Sequence, residues 1–176
     1  MQTEERSVYL AVDIGASSGR VMAALFDGTR IELEEVHRFF NGAIEIDGEY
    51  HWDIHARFDS IKEGLTKAAA TYGDAIVSIG VDTWGVDYGL LDANGELMGL
   101  PFAYRDPRTN GMEEEAFKRV PREKIYDTTG IQFMFFNTLN QIMSEVVTER
   151  GELEKADRLL FTPDLLNYWL CGVATN

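Results

Sequence analysis

The chain has 176 residues, with 16 Lys and Arg against 30 Asp and Glu, so its formal net charge is −14. Apolar residues make up 45% and charged residues 26%, enough to bury a real core, which excludes a disordered or collagen-like chain. So acidic a chain does not attract nucleic acid or anionic lipid through bulk charge; an anionic ligand needs a local site of backbone amides, a metal ion or a few arginines. The length suits one globular domain, or one with an appended subdomain. Cys171 is the only cysteine, which excludes an intrachain disulfide and a cysteine zinc site. The opening MQTEERSVYLAVDIG lacks the basic and long apolar regions of a signal peptide. No stretch is long and apolar enough to span a membrane, so a reducing cytoplasm is the expected location.

Val8 to Val12 is a continuous apolar run, as in a strand covered on both faces. Gly15 to Gly19 reads as a turn of small residues, Val21 to Phe26 as a second strand, and Asp27-Gly28 as a hairpin turn into a third strand, Ile31 to Phe40. Asn41-Gly42 and Asp47-Gly48 are further turns. Asp53 stands at a helix N-cap position, and Ile54, Phe58, Ile61, Leu65 and Ala68 follow at helical spacing up to Tyr72-Gly73. Ala75 to Val81 is a short strand. Tyr88 to Leu91 and Leu97 to Ala103 flank Asn94-Gly95 and read as a hairpin. Beyond Pro107 helices are expected over Thr109 to Arg119, Arg122 to Tyr126, Thr138 to Arg150, Glu152 to Ala156 and Asp164 to Leu170, with a strand at Leu159 to Phe161. This order predicts an α/β fold with a mixed sheet flanked by helices. There is no internal repeat and no low-complexity tract.

Asp13-Ile14-Gly15-Ala16-Ser17-Ser18-Gly19-Arg20 lies between two apolar strands. A carboxylate at a strand end can hold magnesium, directly or through water. Small residues let successive amides curl into an anion-binding concavity. Ser17 and Ser18 add hydroxyls, and Arg20 adds a fixed positive charge. Together these suit a nucleotide's terminal phosphates. The stretch is neither GxxxxGK[ST] nor GxGxxG, and its composition fits an ordinary glycine-bearing hairpin equally well.

Strand, D-I-G-A-S-S-G-R, strand resembles the first phosphate loop of the FGGY carbohydrate kinases, within the actin-like, ribonuclease H-like ATPases. Further stretches carry the likeness in order: His37 to Gly42, Trp52-Asp53-Ile54, Ile79 to Tyr88, Tyr104 to Gly111, Gly130 to Phe133 and Phe136-Asn137-Thr138. They are similar to the branch of that family acting on L-rhamnulose, from about Val8 onward. The resemblance implies an ATP- and Mg2+-dependent transfer of the γ-phosphate to the sugar's 1-hydroxyl. Asp13 would position the metal, and Ala16, Ser17, Ser18, Gly19 and Arg20 would hold phosphate. It also implies that the chain is the first domain, cut before the catalytic base, an aspartate expected beyond Asn176, and before the second domain. The chain alone is then inactive, and uncovered apolar surface, including part of the Phe133-Met134-Phe135-Phe136 run, is expected to drive self-association. Related readings are a xylulose or fuculose kinase, or a sugar- or nucleotide-binding module without catalysis. An actin-like assembly protein shares only the first loop.

For the sugar, Gly85 matches a sugar-contacting glycine of that branch. Asp82 falls at the carboxyl end of a strand, where α/β sheets place ligands. Trp84 suits stacking on a sugar face, and Asp87, Arg105 and Asp106 complete the candidate set. The alternatives are a turn with a core tryptophan, and an Asp–Arg pair that only fixes a loop. His51 and His55 have a spacing that can bind metal on a helix, but Asp53 as N-cap leaves His51 outside it. Trp52 is expected in the core, His37 to pack within its strand, and Glu113-Glu114-Glu115 on a solvated helix face.

Overall fold

The apolar run at the start of the chain buries every second side chain: Val8, Leu10, Val12 and Ile14 are buried, whereas Tyr9 and Ala11 are exposed. This alternation, in a computed structural model that describes residues 6–176, corrects the expectation of a strand covered on both faces. One face of the sheet is packed and the other, among the described residues, is open. In chain order the elements are β1 (Ser7–Ile14), β2 (Ser18–Phe26), β3 (Ile31–Phe40), β4 (Ile44–Ile46), β5 (Glu49–His51), α1 (Ile54–Tyr72), β6 (Ile76–Asp82), β7 (Tyr88–Leu91), α2 (Met112–Arg119), α3 (Arg122–Thr129), α4 (Thr138–Thr148), α5 (Glu152–Lys155), β8 (Arg158–Phe161) and α6 (Thr162–Cys171). They fall into two compact units.

The first unit comprises the residues up to Gly42, Asp53–Trp84 and Thr162–Asn176. Its sheet has the order β3-β2-β1-β6, with β1 antiparallel to β2 and parallel to β6. The mixed sheet is thus as expected. α1 lies on the packed face with Ile54, Ile61, Gly64 and Ala68 buried, each large apolar side chain contributing about 1.5–3 kcal/mol. A Cβ on Gly64 would stand 2.4 Å from Val21 Cγ2, so glycine is what lets the helix sit this close to β2. The expected cap is present: the Asp53 carboxylate accepts from the Ala56 amide at 3.0 Å. The helix ends at Gly73, in a left-handed φ of 52°.

The second unit comprises Ala43–Trp52 and Gly85–Phe161. β4 and β5 pair across Asp47-Gly48, both at positive φ (51° and 85°) as a tight hairpin turn requires. These strands are too short to show a period in the sequence. The hairpin expected over Tyr88 to Ala103 is corrected. The turn forms, with Asp92 Oδ1 accepting from the Asn94 and Glu96 amides. After the Met98 amide bonds to Leu90 O, however, the return arm leaves, and β7 pairs with β8 instead. Pro101, which has no N–H to give a ladder, lies in that departing arm. Helix ends also shift. Pro107–Thr109 form a single 3-10 turn, so α2 begins at Met112 rather than Thr109. α3 continues to Thr129. α4 stops at Thr148, where Glu149 turns left-handed. Ala116 of α2 and Met143 of α4 are buried in this unit.

Candidate functional site

In the first unit β1 and β2 meet in a bend at Gly15, Ala16 and Ser17, closed by Gly15 N–H donating to Ser18 O at 2.9 Å. The turn is tighter than the expected Gly15 to Gly19, because Ser18, Gly19 and Arg20 already belong to β2. Ala16 and Ser17 are exposed and Ser18 is half-buried. The bend is braced from beneath. Fully buried Asn41 donates its Nδ2 to Gly15 O at 2.6 Å and its amide to Ser17 O at 3.1 Å. Arg57 of α1 in turn donates Nε to Asn41 Oδ1 at 2.7 Å and an Nη to Gly42 O at 2.8 Å. Burial pulls the Arg57 pKa down, but an arginine stays charged there. Gly19 is buried because the Phe39 ring lies over it: a Cβ would stand 2.3 Å from Phe39 Cζ.

Arg20 Nε donates to Asp13 Oδ2 at 2.9 Å, with side chains 44% and 43% exposed. Asp13 and Asp82 are register partners on the parallel strands β1 and β6. Both therefore sit at the carboxyl end of the sheet on one face. No group of three or more metal-ligating side chains occurs among the described residues. Asp13 is half-buried and Asp82 exposed, and two solvent-reaching carboxylates suit Mg2+, which keeps several waters and takes few protein ligands. The residues present fit the metal.

In the second unit Gly85 is exposed, with nothing within 4 Å of where a Cβ would stand. Val86 follows at φ 77°, a strained conformation for a β-branched residue. Two side chains of α4 hold it: Thr138 Oγ1 donates to Val86 O at 2.8 Å, and Gln141 Nε2 reaches the same oxygen at 3.3 Å and Asp87 Oδ1 at 2.8 Å. Asp87 is buried, and its other oxygen accepts from Trp52 Nε1 at 2.6 Å and Tyr104 N at 3.2 Å. Asp106 is buried too, and accepts from the Tyr50 amide at 2.6 Å and the Arg108 amide at 2.8 Å. Both carboxylates are thus engaged by the protein. Arg105 is exposed and leans on the Tyr104 ring.

The structure brings Asp13, the bend residues and Arg20, expected at the phosphate, to one sheet end together with Asp82, which was expected at the sugar; Trp84 is half-buried just after β6. Sequence reasoning missed Asn41, Arg57, Thr138 and Gln141, which act across long sequence separations without local spacing. The histidines are engaged separately: His51 Nδ1 faces Leu100 O at 3.1 Å, His55 stacks on Trp169, and His37 Nδ1 faces Lys67 Nζ at 3.0 Å. Trp52 is buried as expected. In the aromatic run Phe135 is 46% exposed and Phe133, Met134 and Phe136 are half-buried.

The pattern of the N-terminal domain of the FGGY family of carbohydrate kinases matches residues 8–176. The chain belongs to this family. A rhamnulokinase of Bacteroides thetaiotaomicron is 46% identical over 164 residues, covering 93% of this chain and 34% of that protein. A rhamnulokinase of Oceanobacillus iheyensis is 44% identical over 167 residues, covering 95% of this chain and 35% of that protein. The chain therefore spans about a third of the length of these relatives. Among solved structures, a gluconate kinase and a xylulose kinase from Lactobacillus acidophilus superpose with TM-scores of 0.79 and 0.78 at 14% identity, each over 96% of this chain and 34% of theirs. At that identity the likeness establishes the fold, the actin-like α/β arrangement of FGGY kinases. Among the described residues no helix is long and apolar enough to cross a membrane.

Proposed function

We propose that these residues are the first domain of an ATP-dependent sugar kinase that transfers the γ-phosphate of ATP to the 1-hydroxyl of L-rhamnulose, in the cytoplasm. The observation that carries the reading is the 46% identity to a rhamnulokinase across 93% of the chain. Phosphoryl transfer depends on positioning and charge stabilisation. In this reading Asp13, with Asp82 beside it, holds Mg2+ through water. The amides and hydroxyls of Ala16, Ser17 and Ser18 receive phosphate oxygens, with Gly19 fixing the strand entry and Arg20 adding charge. The metal, when bound, neutralises charge developing on the phosphate oxygens. Gly85, Trp84 and Arg105 contact the sugar, and Asp87 and Asp106 act as positioning residues that fix the loops behind them. No base is assigned among these residues, and an aspartate beyond Asn176 is expected to take the hydroxyl proton.

Calorimetric titration with Mg-ADP tests the phosphate site. Saturable binding is expected, and Asp13→Asn should weaken it by about tenfold, the loss of one charge-assisted contact; no heat of binding would refute the assignment. The chain by itself is expected not to phosphorylate L-rhamnulose, and product formation would overturn the placement of the base. Comparing turnover of L-rhamnulose, xylulose and fuculose by the full-length enzyme separates the sugar specificities. A non-catalytic sugar- or nucleotide-binding module is the second reading, and full-length turnover excludes it.

A further inference from the structure

Two arginines stand side by side on the open face of the first unit's sheet. Arg20 of β2 and Arg38 of β3 are register partners, and residues directly opposite on an antiparallel pair have Cβ atoms about 4.5–5.5 Å apart. Arg38 points away from α1 because its neighbours point towards the packed face. His37 Nδ1 meets Lys67 Nζ of α1 at 3.0 Å, and Phe39 is buried over Gly19. Like charges directly opposite destabilise a sheet, so this pairing calls for a reason. Each guanidinium has a carboxylate on its outer side. Asp13 of β1 holds Arg20 at 2.9 Å, and Glu35 accepts from Arg38 Nε at 3.1 Å and from one of its Nη groups. Residues three apart in a regular strand point to opposite faces. Glu35 reaches Arg38 because the register slips between them: Val21 pairs with His37 and Met22 with Glu35, which leaves Val36 over as a bulge.

The four charges act as one row across three strands, Asp13, Arg20, Arg38 and Glu35. The Glu35 carboxylate holds Arg38 in its charged form, with a smaller pull from Asp13. Glu35 lies below the ordinary carboxylate range, first through its hydrogen bond from Arg38 and least through Arg20. The row is open to solvent: the Asp13, Arg20, Arg38 and Glu35 side chains are 43%, 44%, 49% and 40% exposed. Among the described residues Arg20 donates only from Nε, and Arg38 from Nε and one Nη. A guanidinium carries five N–H groups, so both keep donors for a ligand. With carboxylates at its ends and guanidiniums at its centre, the row suits an oxyanion that meets both forks at once. Ser18, the last of the residues assigned above to phosphate, lies two positions before Arg20 on the same strand. We propose that Arg38 is a second phosphate-binding arginine, sharing with Arg20 one oxyanion group of the bound nucleotide, and that Glu35 holds it on the open face until that ligand arrives. The inference rests on the reading of the β1–β2 bend as the phosphate site.

Side-chain NMR of the arginine Nε–H groups in the 176-residue chain reads the two residues separately, each signal assigned by its loss in Arg20→Met or Arg38→Met. The probe is Mg-ADP, with adenosine as the control that carries no phosphate. Both signals are expected to shift with Mg-ADP along one saturation curve and to stay in place with adenosine. Arg38→Met should weaken Mg-ADP by about fivefold in calorimetry, the loss of one charge-assisted contact. Glu35→Gln should tighten it by about twofold by releasing Arg38, and that gain should vanish when Arg38→Met is added. A shift of Arg20 alone, or unweakened binding by Arg38→Met, overturns the inference and leaves the phosphate reading standing. A shift of neither signal refutes the phosphate reading and the inference with it. Equal shifts with adenosine, or a gain from Glu35→Gln that persists without Arg38, overturn the role given to Arg38.

Discussion

Arg57 carries a charge into a buried position to hold one asparagine, and that asparagine holds the bend that we assign to phosphate. Arg57→Ala leaves Asn41 Oδ1 and Gly42 O without their donors, so a loss of about 2–3 kcal/mol is expected in urea unfolding. Mg-ADP should also bind more weakly, because Gly15 to Ser17 lose their brace. Arg57→Lys should not restore either property, since a lysine cannot serve two acceptors in a planar fork. Gly19 carries a second residue-scale lesson. The sequence suggested glycine for backbone freedom near a phosphate, but the structure needs it for room beneath the Phe39 ring. Gly19→Ala is therefore expected to cost about 1–3 kcal/mol through overpacking, measurable by thermal unfolding.

Among the elements, α1 was legible in full because three independent signals agree on it: the Asp53 cap, the apolar period and Gly73 at the end. Asp53→Ala should cost about 1 kcal/mol in chemical denaturation. The sheet strands of the first unit were legible for the same reason, apolar runs bounded by turns. The segment after Tyr88 was not. Its Asn94-Gly95 turn is real, yet the partner of β7 lies in Arg158–Phe161, a choice made by tertiary pairing that no local spacing encodes. The site shows the same division. Asp13, Arg20 and Asp82 stand at strand ends and could be read directly, whereas Gln141 gains its role only because α4 returns to Val86. Gln141→Ala is expected to raise amide exchange in the Gly85–Asp87 loop, since it removes one of the two clamps on a strained residue.

For the molecule as a whole, acid lability follows from carboxylates whose pKa values the fold depresses. Glu49 is held below its ordinary value first by its hydrogen bond from Arg150. Its contribution is present above the unfolded carboxylate range and is lost as pH falls through the lower folded value. Glu145 runs the other way: burial raises it, so its folded state is favoured at low pH and weakened as pH rises through the raised value. Glu49→Gln should thus flatten the acid limb of a stability–pH profile, while Glu145→Gln should remove a decline on its rising side. Apolar exposure makes a separate expectation. Tyr9, Leu33 and Ile31, 40%, 64% and 64% exposed, fall on the open face of the first unit's sheet. Concentration-dependent association is expected by light scattering, reduced by Ile31→Lys with Leu33→Lys. A monomer at every concentration would contradict it.

The Asp13–Arg20 bridge turns occupation of the assigned phosphate loop into an exchange of counter-ions. Before a ligand arrives, each of these charges already neutralises the other at 2.9 Å. In the proposed reading Asp13 would hold a hydrated cation and Arg20 an oxyanion, so the gain on binding would be only a difference between two sets of contacts. A half-exposed bridge is worth little to begin with, which makes the swap easily reversible. Arg20→Met separates the two halves of that trade: it should tighten the hold of the freed carboxylate on Mg2+ alone while loosening the hold on the nucleotide.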